Sequence, residues 1–198
     1  MDEKFPRSPA LWSRFYGLFI LTALMWGIEL VDWFFPWIRL DWFGIHPRSV
    51  NGLMGILVSP LLHSSWSHLM ANTPPFLMFG GLIAASGSQR FWTVTLGCAL
   101  ISGFGTWLVS PGWTITVGAS GIIFGYFGFL LLRGFFERRF SSALISLAVG
   151  LFYGSILWQV FPSGRGISWS AHFFGLVGGI VMAYWLGRSR KSSLQSRL

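Results

Sequence analysis

Six long apolar runs, with the basic residues held in short segments between them, limit what this chain can become. A helix needs about 20 apolar residues to cross the hydrocarbon of a bilayer. Runs of that order lie near 14–34, 65–85, 91–109, 119–134, 142–161 and 168–187. Charge is too sparse for a water-facing surface: 10% of residues are charged, against roughly 25% in a soluble domain. The expectation is an all-α membrane protein, a single transmembrane domain over residues 1–198 whose main partner is the lipid bilayer. Twelve Trp fit that solvent, because Trp collects at membrane interfaces. The net charge of +8 would also suit nucleic acid. The Lys and Arg, however, are distributed as a topology signal, so no nucleic-acid partner is expected. The one cysteine, Cys98, excludes an internal disulfide and a thiolate metal cluster. The polar start Met1-Asp2-Glu3-Lys4, before a long apolar run, reads as the lead into a retained span.

The basic residues orient the bundle. With the N-terminus inside, Lys4, Arg7, Arg14, Arg90, Arg133, Arg138, Arg139, Arg188, Arg190, Lys191 and Arg197 lie on the inner side. Arg39, Arg48 and Arg165 lie outside. That bias predicts both termini in the cytoplasm. Residues 35–64 are too apolar for a solvated loop and too irregular for a span, so a membrane-embedded first outer loop is expected. The third and fifth spans read as ordinary apolar helices without chemistry. The fourth is short. Ser120 to Arg133 is 14 residues, about 21 Å of helix against a hydrocarbon core of about 30 Å. With its inner end at Arg133, Ser120 would sit about 9 Å below the outer surface, facing a wet cavity.

Three spans carry polar residues at one level. The fourth begins Gly118-Ala119-Ser120-Gly121, with Gly125 a turn later. The sixth has small residues every fourth position, Ala171, Gly175 and Gly179 among them. Such stripes let helix backbones approach closely in lipid. Packing the two stripes would bring Ser120 near His172, an ionisable residue inside a span and so a functional hypothesis by default. The second span adds His63, Ser65, Ser67, His68 and Asn72, with His68 and Asn72 on one helix face. Pro74 and Pro75 should kink or loosen that helix. No acid falls near Ser120 or His172 in any motif, so the pattern indicates a Ser-His dyad and not a triad. The Ser120 amide, His68 and Asn72 can supply oxyanion donors. No second ligand stands at i+3 or i+4 from His172, so no metal is expected.

At these residues the sequence resembles the rhomboid family of intramembrane serine proteases. The family's GxSG pattern stands as Gly118-Ala119-Ser120-Gly121, its HxxxN pattern as His68-Leu69-Met70-Ala71-Asn72, and its AHxxGxxxG pattern as Ala171-His172 through Gly179. The resemblance covers essentially the whole chain and implies a six-transmembrane-helix rhomboid-like bundle. It implies Ser120 as nucleophile, His172 as base, and His68, Asn72 and the Ser120 amide as oxyanion donors. It also implies cleavage of single-span membrane-protein substrates near their outer end, without metal or cofactor. Many family members carry a tyrosine four residues after the serine, stacked on the histidine. Phe124 stands there, keeping the ring without the hydroxyl. Many also carry a Trp-Arg pair in the first loop. Here Trp42 precedes Phe43, leaving Arg48 for that anchoring part.

Two other functions compete. A catalytically inactive rhomboid-like binding factor would lack the serine or the histidine, and both are present. A transporter would string polar residues through the full bilayer depth, whereas here they cluster at one end. The compact form points to a prokaryotic plasma membrane, the site opening outward, with lateral substrate entry beside the fifth span.

Overall fold

A computed structural model describes residues 11–162 and 166–195, the last seven as main chain only. Met1 through Lys4, Arg7, Arg165 and Arg197, for which the sequence carried expectations, lie outside the described residues. The chain forms α1 (Tyr16–Phe34), α2 (Val50–Val58), α3 (Trp66–Ala84), α4 (Ser88–Val109), α5 (Ser120–Glu137), α6 (Phe140–Tyr153) and α7 (Trp169–Gln195). Short 3-10 turns join them, the longest being Gly154–Val160, which continues α6. There is no strand among the described residues, only an isolated bridge between Ile45 and Thr116.

Five segments are long and apolar enough to cross a membrane: Tyr16–Phe34, Ser88–Val109, Ser120–Glu137, Phe140–Val160 and Trp169–Arg188. The sixth expected span, α3, is a 19-residue helix of the right length. Its Ser67, His68, Asn72 and Thr73 lower its hydropathy, because one side of it serves a cavity and not lipid. α3 runs unbroken through Pro74 and Pro75, the pair expected to kink or loosen it. A helical proline leaves the carbonyl four residues back without a partner. For Pro75 that residue is Ala71, which lines the cavity, where water can satisfy the carbonyl.

α5 is the axle of the bundle, packed against α3, α4, α6 and α7. Every residue from Gly121 to Leu130 is buried. A membrane helix wrapped on all sides by helices needs small residues where backbones touch. A Cβ on Gly175 would strike the carbonyl oxygen of Gly121, and one on Gly179 the carbonyl oxygen of Gly125. A Cβ on Gly125 would lie 3.2 Å from the Gly175 carbonyl oxygen, and one on Gly121 3.4 Å from that of Ala171. The seam between α5 and α7 is thus backbone against backbone over two turns.

The fourth span is longer than the sequence suggested. α5 continues past Arg133 to Glu137, 18 residues in all, about 27 Å of helix. Arg133 does not mark its end because it is buried and neutralised: its Nε donates to Glu137 at 3.0 Å. Glu137 also accepts from Arg90 at 2.6 Å and from the Ser142 hydroxyl at 2.6 Å. A short fourth span therefore does not set the depth of Ser120.

The first loop is more regular than expected. It contains α2, nine residues long and too short to span, flanked by 3-10 turns at Leu40–Phe43 and Ser59–Leu61. Trp37, Trp42, Phe43, Met54 and Leu57 stay exposed along it, an apolar surface suited to lipid. Its inner side is pinned to the start of the serine loop by paired Ile45 and Thr116 amides and carbonyls at 2.9 and 3.1 Å.

Candidate active site

Ser120 is the first residue of α5, after Gly118 and Ala119. Its amide lies in the first turn, where N–H groups have no intrahelical acceptor. Gly118 has φ +113°, a conformation open to glycine. A Cβ there would meet the His68 ring at 2.6 Å and Asn72 Nδ2 at 3.4 Å. The bare glycine lets the loop before the serine lie directly against those two side chains. Its own N–H is held by the Ser59 carbonyl at 2.9 Å.

His172 sits in the first turn of α7 and is buried. Phe124, one turn after Ser120 on α5, stacks on its ring, with centroids 4.1 Å apart and planes 9° from parallel. Its Nδ1 is 3.0 Å from the Gln159 carbonyl oxygen. A carbonyl only accepts, so Nδ1 carries the proton and Nε2 keeps a lone pair. One face and one edge of the ring are thereby fixed.

A cavity of about 980 Å³ opens beside these groups, lined by Ser120, His172, Phe124, His68, Asn72 and Gln159 with neighbouring loop residues. Asn72 Nδ2 is buried in its wall without a hydrogen-bond partner among the described residues. His68 Nδ1 lies 3.2 Å from the Ser64 hydroxyl. With that hydroxyl donating, Nε2–H is left to the cavity side, against Gly118. The structure thus brings Ser120, His172, Phe124, His68 and Asn72 together. It does not bring Ser65, Ser67 or His63 to the cavity. The Ser65 hydroxyl caps α3 by accepting from the His68 amide at 3.2 Å, and it pairs with Ser67. His63 packs edge-on to His68 from behind, 5.1 Å between centroids. Burial, with His68 alongside, pushes its pKa down to about 4 and keeps it neutral.

Sequence reasoning missed several supports. α4, read as a plain apolar helix, holds the N-terminus of α7. The Ser102 hydroxyl donates to the Ala171 carbonyl at 2.8 Å, and the hydroxyls of Ser110 and Ser170 pair at 2.7 Å. Gln159 acts through its main chain, which no side-chain pattern reports. Arg48, which the sequence left for the anchoring part, was not missed: it donates from the first loop to the carbonyls of Leu108 and Ser110 at the end of α4, at 3.0 and 2.7 Å. No cluster able to hold a metal ion occurs among the described residues.

The model of the Rhomboid domain family matches residues 50–189, which contain Ser120, His172, Phe124, His68 and Asn72. The chain belongs to the rhomboid family. Among curated proteins this rhomboid is 41% identical over 187 residues to an uncharacterized protein of Mycobacterium tuberculosis, covering 89% of this chain and 78% of that one. It is 33% identical over 137 residues to YdcA of Bacillus subtilis, 68% of each chain, a protein whose name places it among rhomboid proteases. It is 31% identical over 139 residues to the rhomboid protease GlpG of Yersinia pestis, 68% of this chain and 48% of that one. The family and the apolar helices make this an integral membrane protein.

Proposed function

We propose that this rhomboid is an active intramembrane serine endopeptidase working through a Ser120–His172 dyad. One observation carries the reading. The His172 ring, held by Phe124 on its face and the Gln159 carbonyl at Nδ1, turns a free Nε2 into the cavity wall that Ser120 shares. A base whose tautomer and orientation are set beside a helix-terminal serine is the arrangement that activates a hydroxyl nucleophile.

The steps follow. Ser120 Oγ attacks the scissile carbonyl carbon while its proton passes to His172 Nε2. The carbonyl oxygen takes the electron pair and is met by the Ser120 amide, Asn72 Nδ2 and His68 Nε2–H. The C–N bond breaks and His172 returns the proton to the departing amine. Water then gives a proton to His172 as its oxygen attacks the ester carbon; the ester C–O bond breaks, His172 hands the proton to Ser120 Oγ, and the carboxylic acid product leaves. No carboxylate is needed: the Gln159 carbonyl orients the imidazole, at the cost of weaker stabilisation of the imidazolium.

The substrates are single-span membrane proteins that enter laterally beside α6. In support, the apolar Phe140–Val160 segment is only 11% buried in the bundle, the least of the five spans. In this reading both termini are cytoplasmic and the cavity opens to the outer side of a plasma membrane. The test is cleavage of a reporter span with small and helix-breaking residues near its outer end, in liposomes. Wild type should cut, and Ser120→Ala and His172→Ala should not. Cleavage by Ser120→Ala would sink the dyad. An inert wild type that also resists a serine-directed activity probe would leave a rhomboid that binds spans without cutting them. Crosslinking α3 to α6 should block cleavage, and undiminished cleavage would remove the lateral entry.

A further inference from the structure

The end of the bundle opposite Ser120 carries a second cavity, of about 240 Å³. Phe135, Phe136 and Arg138 line it from the end of α5, and Tyr184, Gly187 and Arg188 from α7. The two helices close at its floor, where a Cβ on Gly187 would lie 2.8 Å from Phe136 Cβ. That approach sets two arginines, from residues 50 positions apart in sequence, around one small space. We propose that this cavity binds the phosphate of an anionic phospholipid. The proposal is independent of the protease reading.

The charge around the cavity is unanswered. No carboxylate is among its lining residues. Glu137, the neighbouring acid, turns inward and is taken up by Arg90, Arg133 and Ser142. Arg188 is partly placed already: it donates to the Tyr184 hydroxyl, and its guanidinium lies 5.4 Å over that ring. The fork has five N–H donors, so most remain for an anion.

The backbone at Arg138 points the same way. Three non-glycine residues have left-handed backbone among the described residues, and all are arginines: Arg39, Arg48 and Arg138. Two have visible work. Arg48 caps the carbonyls of Leu108 and Ser110, and Arg39 lies 5.3 Å over the Trp42 ring. Arg138 ends α5 with φ +50°, the position that glycine fills most readily. An arginine kept there, exposed and lining a cavity without an acid, is a side chain awaiting an anion.

The flanks identify the anion as a lipid. Phe135 and Tyr184, which line the cavity with the two arginines, present exposed aromatic surface. Aromatic rings and basic groups meet in this way at headgroup depth, where the phosphate is wet and the acyl stems begin. A soluble phosphate would gain nothing from that apolar rim.

Native mass spectrometry on the full chain, purified in neutral detergent, decides the matter with phosphatidylglycerol and phosphatidylcholine of matched acyl chains. Wild type should prefer the first bound phosphatidylglycerol by about tenfold. Arg138→Gly keeps the left-handed turn and removes only the guanidinium, so it tests the charge without disturbing the fold. Together with Arg188→Gln it should abolish the preference, while Arg138→Lys should retain part of it. Arg139→Gln, adjacent but outside the lining, should leave it intact. A preference that survives the double variant, or falls as far in Arg139→Gln, would overturn the site. Displacement of phosphatidylglycerol by millimolar inorganic phosphate would overturn its assignment to lipid.

Discussion

The two ends of α5 treat buried polar groups in opposite ways. At its C-terminus, Glu137 is withdrawn from solvent and both its oxygens are used, by Arg90, Arg133 and Ser142. At its N-terminus, Ser120 is half-buried beside an open cavity, and the Asn72 amide nitrogen has no partner among the described residues. Unpaired buried donors are costly; at the C-terminal end one remains, Arg133 Nη1, but the carboxylate is saturated, whereas at the N-terminal end the unpaired amide stands in the wall of an open cavity. The saturated end holds α4, α5 and α6 together. In the mechanism proposed above, the open end keeps donors for a charge that arises only during reaction.

Substitutions at the two ends should therefore separate activity from stability. Ser120→Ala should lower cleavage by about 10⁴-fold or more, with the thermal midpoint essentially that of wild type. A cleavage assay and a melting curve on the same sample would show whether the serine also holds the fold. Glu137→Ala should do the reverse, because removing one partner of a buried pair leaves the other charge stranded. The expected loss is about 3–5 kcal/mol of stability, read by denaturation in detergent, with cleavage per folded molecule unchanged. A large activity loss without destabilisation would break the contrast between the ends. Asn72→Ala should sit between them in size. In the proposed mechanism it removes one oxyanion donor, worth about 10²–10³ in turnover, and it should gain stability or leave it level, since an unpaired buried amide nitrogen is lost. Phe124→Leu should have the smallest effect, up to about tenfold in turnover, from an aromatic contact of about 0.5–1.5 kcal/mol. If it matched His172→Ala, the ring would be doing more than supporting the imidazole.

The same contrast explains what the sequence made legible. The residues gathered at the cavity were visible because polar side chains inside apolar helices are conspicuous, and because their spacing on α3, α5 and α7 put them at one level. The glycine and alanine stripes announced the α5–α7 seam. The arginine end was misread for the converse reason. Arg133 looked like the end of a span because a lone arginine is taken to face water, and nothing local said that Glu137, Arg90 and Ser142 would bury it. The hydroxyls of Ser102, Ser110 and Ser170 were passed over because serine in an apolar helix signals little until its partner is known. The first loop hid the helix α2, since an apolar run of nine residues reads equally well as irregular. Gln159 was beyond reach in principle: its contribution is a carbonyl, which every residue has.

That carbonyl ties the imidazole to the outermost wall of the bundle. Gln159 lies in the turn Gly154–Val160, continuous with α6, the span with the least protein around it. Whatever peels this segment outward also takes away the acceptor on His172 Nδ1. The imidazole is then free to change tautomer, and in the proposed mechanism it would no longer be set to take the serine proton. On the proposed dyad that wall would work as an interlock, arming the pair when the segment is seated and disarming it if the segment stands ajar.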